Sequence, residues 1–320
     1  MKILVTGGAG FIGSAFTRYF VKKYPEHEIV VFDKLTYAGN LDNLKEVSNS
    51  PNFRFVRGDV CNLELLEEVL KDCDVVVHFA AESHVDASIG NSLCFTMTNA
   101  YGTHVLLEAA RTANIKKFIH ISTDEVYGDI LKGSFKEEDK LSPNNPYSAS
   151  KAAAEMIVSS YMKTYKMPIC IVRGNNNYGP YQYPEKLISL FSVLLLQDKK
   201  VPLYNPKPVR TFIHVDDMAR AVDVILQKGK IFETYNIGTK DEYSCLEVTK
   251  KLLKLAGKNH TYIQKVEDRA VNDRRYSVHY KKLTALGWKP EISFDEGLAQ
   301  TFAWYKENGA WWKKILRNKK

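Results

Sequence analysis

The chain has 320 residues, 45% apolar and 26% charged, with a formal charge of +8, which suits about two domain-sized units able to bury a core without disulfides or metal. Its five cysteines, at positions 61, 73, 94, 170 and 245, offer neither a disulfide framework nor a Cys-x-x-Cys metal knuckle, and its longest apolar runs are too short to cross a bilayer. Much of the positive charge sits in Lys313, Lys314, Arg317, Lys319 and Lys320 with no zinc finger, RNP motif or basic helix beside it, so the tail reads as a solvated terminus and neither a nucleic-acid nor a membrane partner is expected.

Met1 and Lys2 lead directly into a first strand, Lys2–Thr6, with no signal peptide before it, and a cytoplasmic location is expected. The strand runs into Gly7, Gly10 and Gly13, which surround the start of a helix over 11–24 that carries Phe11 and Ile12. Glycines so placed permit a tight turn, let backbone approach a diphosphate and allow close helix–strand packing. The helix N-terminus adds free N–H groups and positive dipole. A second strand, Glu28–Asp33, ends in Asp33, 20 residues after Gly13, where a carboxylate accepts from ribose hydroxyls and repels a 2′-phosphate. NAD rather than NADP is therefore the expected cofactor.

The third strand, Phe53–Arg57, precedes Asp59, which suits either the adenine edge or a plain turn. A helix over 62–72 leads to a fourth strand, Asp74–Ala80, where Ala80 and Ala81 leave room for a cofactor or simply pack. After a helix over 91–113, the fifth strand, Lys117–Ser122, delivers Ser122, Thr123, Asp124 and Glu125 to its C-terminal end, where ligands of open α/β sheets bind. If the strand has ended there, the adjacent acids both address a substrate, one protonated as acid and one ionised as base. The alternative is an Asp that caps the next segment beside a solvated Glu.

A helix over 146–166 opens on Tyr147-Ser-Ala-Ser-Lys151, whose spacing stacks the tyrosine and lysine on one face, with ammonium and nicotinamide charge favouring the phenolate. The sixth strand is Pro168–Arg173. Continuous apolar strands alternating with helices predict an α/β fold, a Rossmann-like doubly wound parallel sheet over 1–178. Beyond it, prolines at 180, 184, 202, 206 and 208 punctuate short strands (VPLY, VRTFIHV, ETYNIG) and helices over 185–197, 215–228, 244–256 and 293–308. These predict a smaller C-terminal α+β lobe over 179–320, with 209–230 returning to the first domain and Asp216 as the N-cap of its helix.

In order, TGGAGFIG, DKLTYAGNLDNL, FAAESHVDAS, STDEVYG, PYSASKAAAE, NNYGPYQYPEKLI and ETYNIG resemble the dTDP-glucose 4,6-dehydratases of the extended short-chain dehydrogenase/reductase family. The resemblance implies an NAD-dependent hydro-lyase that oxidises C4 of a nucleotide hexose, eliminates water across C5 and C6, and returns the hydride to C6. It gives Tyr147, helped by Lys151 and Thr123, the C4 hydroxyl; Glu125 the C5 proton; and Asp124 the departing C6 hydroxyl. It further implies cofactor contacts from Lys34, Thr36, Val60 and Ser122, beside Asp33, Asp59 and the glycine turn. Substrate contacts are implied for Ser83, His84, Asn176, Glu185, Lys186, Leu187, Pro202, Tyr204, Arg210, Asn236, Arg269 and Asn272. Taken singly, His84 also fits a core histidine, Asn176 a turn and Arg210 a surface ion pair.

The chain departs from that family's pattern at Asn205-Pro206-Lys207-Pro208, at Arg210-Thr211-Phe212 and at Arg269-Ala-Val-Asn272-Asp-Arg274-Arg275-Tyr276. These changes leave the redox residues intact but set UDP-glucose beside dTDP-glucose as the expected substrate. A nucleotide-sugar 4-epimerase and a non-catalytic NAD-binding sensor are the alternatives; the acid pair opposes the first, and intact Thr123, Tyr147 and Lys151 oppose the second. The resemblance also implies a homodimer, with 91–113 and 146–166 forming a four-helix bundle across a twofold axis, and a product destined for rhamnose or another deoxysugar.

Overall fold

Short apolar segments build one large sheet in the computed structural model, which describes residues 1–267 and 273–317. The first half runs β1 (Lys2–Thr6), α1 (Phe11–Lys23), β2 (Glu28–Asp33), β3 (Phe53–Arg57), α2 (Leu63–Val69), β4 (Val75–His78), α3 (Val85–Gly90), α4 (Ser92–Phe95) and α5 (Gly102–Thr112). It continues through β5 (Lys117–Thr123), α6 (Pro146–Thr164) and β6 (Ile169–Gly174). The second half comprises β7 (Asn176–Tyr178), α7 (Leu187–Leu196), β8 (Val201–Leu203), β9 (Val209–His214), α8 (Val215–Lys228) and β10 (Thr234–Ile237). It ends with β11 (Glu242–Ser244), α9 (Cys245–Leu255), β12 (Ile263–Lys265), α10 (Lys281–Thr284), α11 (Phe294–Glu307) and α12 (Gly309–Arg317).

The seven-stranded sheet has the order β10-β6-β5-β4-β1-β2-β3 with every pairing parallel. This is the doubly wound arrangement expected from the strand–helix alternation, and its order reverses between β1 and β4, opening a crevice at their C-terminal ends. Both faces are covered, which is why strands such as VVVH are buried throughout. Ile3, Val5, Phe16, Val31, Val222 and Ile225 fill one face under α1 and α8; Leu4, Val30, Phe32, Leu106, Phe118 and Val158 fill the other under α2, α5 and α6. The edge strand β10 is contributed from beyond the 209–230 stretch, and α8 packs along α1. A separate core of Phe191, Leu195, Val201, Leu252, Phe294 and Leu298 holds α7, α9 and α11 around a three-stranded sheet, β11-β9-β7, and the β12-β8 pair.

Three local expectations change. Lys313, Lys314 and Arg317, read as part of a solvated terminus, lie on α12, with Lys314 paired to Asp42 at 2.6 Å. The continuous helix read over 91–113 is interrupted: α4 and α5 flank a π-helical stretch, Thr96–Tyr101. Its wide turn faces Asn99 towards the end of β4, where the amide accepts from Glu82 N–H (2.8 Å) and donates to Glu82 O (2.9 Å) and Ser150 Oγ (2.8 Å). The N-cap of α8 is His214, not Asp216: its Nδ1 accepts the Asp216 N–H at 3.3 Å, which places Asp216 and Asp217 inside the first turn, where carboxylates complement the helix dipole.

Candidate active site

The turn between β1 and α1 requires its glycines. Gly7 has φ +69°, and a Cβ there would lie 2.5 Å from Ala80 N; a Cβ on Gly13 would lie 2.3 Å from Gly7 O. The first turn of α1, led by Phe11 and Ile12, has no side-chain cap and no acidic residue, so its N–H groups and dipole are left for an anion. Asp33 closes the turn from β2: it accepts Ala9 N–H at 3.0 Å and Leu35 N–H at 2.8 Å. Burial pushes its carboxyl up, and those backbone bonds work against the shift. The acceptor capacity that remains is what a diol can use. Lys34 pairs with Asp59 at 2.6 Å, and Asp59 also accepts Cys61 N–H at 3.0 Å. Thr36 accepts Gly39 N–H through its backbone carbonyl (3.2 Å), and Val60 is buried against Gly102. Ala80 and Ala81 lie just past β4, beside Gly7.

At the mouth of β5 the strand stops at Thr123, and a 3-10 turn, Asp124–Tyr127, follows. The turn allows both acids to reach one space. Asp124 is 2% exposed and accepts from Asn175 Nδ2 at 2.6 Å and from Thr123 Oγ1 at 3.3 Å. Burial, then the neighbouring Glu125 charge, push its carboxyl up to about 7. Burial raises Glu125 too, but Lys186, Arg210 and a hydrogen bond from Asn145 pull it back, against Asp273. The two acids thus have different electrostatic surroundings.

Asn145 caps α6 in a reciprocal box with Ser148, and Pro146 opens the helix. Tyr147 follows, its backbone N–H donating to Ser88 Oγ at 3.2 Å and its hydroxyl beside the Thr123 side chain. Burial and the charges of Glu125 and Asp124 push the phenol up, not down. Lys151 Nζ donates to Ile121 O at 2.7 Å, and burial lowers its ammonium to about 8. Ser122 Oγ is buried with no partner among the described residues.

Of the expected substrate residues, a first group gathers across the crevice. Lys186 Nζ donates to Ser83 O at 2.7 Å, His84 N-caps α3, and Glu185 accepts from Tyr37 Oη at 3.2 Å. Arg210 lies over the Tyr276 ring at 4.7 Å on the Glu125 side. Asn176, on β7, has a buried amide nitrogen without a partner among the described residues. Leu187 packs against the lobe core, Pro202 pairs in β8 with Gln264, and Tyr204 is exposed. Asn236 is placed elsewhere: fully buried, it accepts from Tyr127 Oη at 2.9 Å in a network with Arg173 and Glu155. Arg269 and Asn272 lie outside the described residues, as do Lys319 and Lys320 of the tail. Sequence reading missed Asn175, Asn145 and Asp273, which act on the acid pair; only the Asn175-Asn176-Asn177 run signalled the first.

A family model described as GDP-mannose 4,6 dehydratase matches residues 4–301. The dTDP-glucose 4,6-dehydratase of Streptomyces niveus is 44% identical over 98% of this chain and 96% of its own length. A trifunctional protein of Arabidopsis thaliana, named for UDP-glucose 4,6-dehydratase among its activities, is 46% identical over 97% of this chain and 48% of its own length. The crystal structure of DesIV, the dTDP-glucose 4,6-dehydratase of Streptomyces venezuelae with NAD and dTDP bound, superposes with a TM-score of 0.97 at 46% identity, covering 98% of this chain and all of the other.

Proposed function

We propose that this chain, which belongs to the GDP-mannose 4,6 dehydratase family, is an NAD-dependent nucleotide-sugar 4,6-dehydratase acting on dTDP-glucose or UDP-glucose. The observation that carries the reading is the Asp124–Glu125 pair, held in one space beside Thr123 and Tyr147 but with unlike surroundings. An epimerase needs no such pair. The lobe around β11-β9-β7, α7, α9 and α11 is assigned the nucleotide sugar, and the seven-stranded sheet, which takes α8 and β10 from the second half, the dinucleotide.

The residues present fit NAD: a turn no side chain can occupy, an uncapped helix start and Asp33 with acceptor capacity to spare. NAD held there would supply the acceptor for the C4 hydride and the source of its return to C6. Tyr147 removes the C4 hydroxyl proton, with Thr123 orienting its oxygen and Lys151 one helical turn below. The C4 ketone acidifies C5–H, and Glu125, held in register by Asn145, takes that proton. Asp124, protonated up to about 7, gives its proton to the C6 hydroxyl as water leaves. Ser83, His84, Lys186 and Arg210 are assigned to the substrate, with hydroxyl, imidazole and cationic donors suited to a diphosphate.

The state of Asp124 fixes a pH dependence. Its folded value, about 7, lies above the ordinary 3.8, so the folded chain binds this proton more tightly. The associated stability is complete below 3.8 and is lost as pH rises through about 7. Turnover is expected to fall on the alkaline side with the same midpoint. Asp124→Asn, which cannot ionise, is expected to raise the melting temperature at about pH 8 and leave it nearly unchanged at about pH 4. Equal shifts at both pH values would contradict the assignment.

Leu93, Met97 and Tyr101 of the α4–α5 stretch and Met156 of α6 are exposed, with Leu93 at 76%. They support a homodimer through these helices, with a second copy covering the apolar face. Leu93→Glu combined with Met156→Glu is expected to sediment as a monomer; an unchanged sedimentation coefficient would rule this face out. Free cysteines support a cytoplasmic location, which cell fractionation tests.

The function itself is tested by mass spectrometry after separate incubation with dTDP-glucose, UDP-glucose, GDP-mannose and UDP-N-acetylglucosamine. Loss of one water from dTDP-glucose or UDP-glucose is expected. A product that keeps its C6 hydroxyl with C4 inverted would establish an epimerase instead, and no product despite bound NAD a sensor.

A further inference from the structure

The last helix of the chain reaches back to the dinucleotide turn. Trp311 on α12 is 9% exposed, and its Nε1–H donates to Asn43 Oδ1 at 2.9 Å. Asn43, 1% exposed, donates through Nδ2 to Ala9 O at 2.9 Å, and its own carbonyl accepts from Arg18 Nη1 at 2.6 Å. Ala9 stands between Gly7 and Gly10, and its N–H is held by Asp33. The Trp311 ring is itself fixed, edge-on to Trp304 (centroids 5.0 Å) and Tyr181 (5.8 Å), while the Arg18 guanidinium covers the other side of the junction, 4.3 Å from the Tyr181 centroid. A buried amide whose donor and acceptor are both spoken for has one orientation.

We infer that Trp311 is a positioning residue for the dinucleotide turn: its indole N–H fixes Asn43, Asn43 fixes the Ala9 carbonyl, and the C-terminal helix thereby sets how firmly the dinucleotide is held. The inference rests on the NAD reading above. The physical reason is preorganisation. N–H groups of α1 that already point at the diphosphate lose no further conformational freedom on binding. The adjacent Trp312 is the internal control, because its Nε1–H donates to Tyr305 O at 2.8 Å and so stays within the α11–α12 pair.

The test uses the full chain with Trp311→Phe, Asn43→Asp, the double variant and Trp312→Phe. Asn43→Asp keeps the acceptor for Trp311 and removes the donor to Ala9. Two quantities are read: amide hydrogen exchange over residues 7–14, and the rate of NAD release after dilution. Trp311→Phe is expected to speed exchange there and to release NAD about five- to tenfold faster, the effect of one lost buried hydrogen bond, and Asn43→Asp, which also sets a buried carboxylate against the Ala9 carbonyl, to do so at least as much. The double variant is expected to be no worse than the more severe single one. Trp312→Phe is expected to lower the melting temperature without moving either quantity. Trp311→Phe behaving as Trp312→Phe does would overturn the inference. If the wild-type chain retains no NAD, the reading above fails, while exchange over 7–14 still decides whether Trp311 holds the turn.

Discussion

Glu125→Gln is expected to yield a chain that oxidises C4 of its nucleotide hexose but releases almost no 4-keto-6-deoxy product. The carboxamide keeps the size of the side chain and an acceptor for Asn145, so the mouth of β5 is undisturbed. It cannot hold the C5 proton. Removing a positioned base typically costs roughly a hundred- to ten-thousandfold, and the elimination step is expected to fall by that amount. Rapid quench and mass spectrometry should find a 4-keto sugar that still carries its C6 hydroxyl, and solvent deuterium should no longer enter C5. The variant also removes the second cause of the raised Asp124 value, leaving burial alone, so the alkaline limb of any residual activity should move below about 7. Full turnover would show that another group removes the C5 proton.

Tyr147→Phe is expected to stop the reaction one step earlier. The start of α6 survives the change because it is held by the Asn145–Ser148 box, by Pro146 and by the Tyr147 backbone N–H on Ser88, none of which involves the phenol. What is lost is the hydroxyl beside Thr123. C4 oxidation should fall roughly a hundred- to ten-thousandfold, with KM for the nucleotide sugar nearly unchanged. No 4-keto species should accumulate, which separates this variant from Glu125→Gln. A rate within tenfold of wild type would remove Tyr147 from the chemistry. Burial and two acids push its phenol up in the resting chain.

The first two strands coincide with the sequence reading because β-branched runs there end at glycine or aspartate, which mark the limits of a buried parallel strand. The acid pair and Tyr147-x-x-x-Lys151 were legible for a related reason: both are local, and their spacing alone decides which side chains share a face. Effects that depend on a distant partner were not. Asn175 reaches Asp124 only because β5 and β6 pair in register. The interruption at 96–101 escaped because an inserted residue shifts the phase of the apolar stripe without removing its helical period. Trp311 looks like any aromatic on a terminal helix until Asn43 is placed beneath it. His214 as a cap escaped because imidazole is an unusual cap acceptor.

The edge strand β10 also has a consequence for biosynthesis. Residues 169–174 leave the ribosome some sixty residues ahead of Thr234–Ile237, the segment that pairs with them. Throughout that interval of translation the nascent sheet ends in an unprotected row of backbone donors and acceptors on an apolar strand, the template on which chains self-associate. Stalling synthesis between those two points should therefore produce the species of this protein most dependent on chaperones.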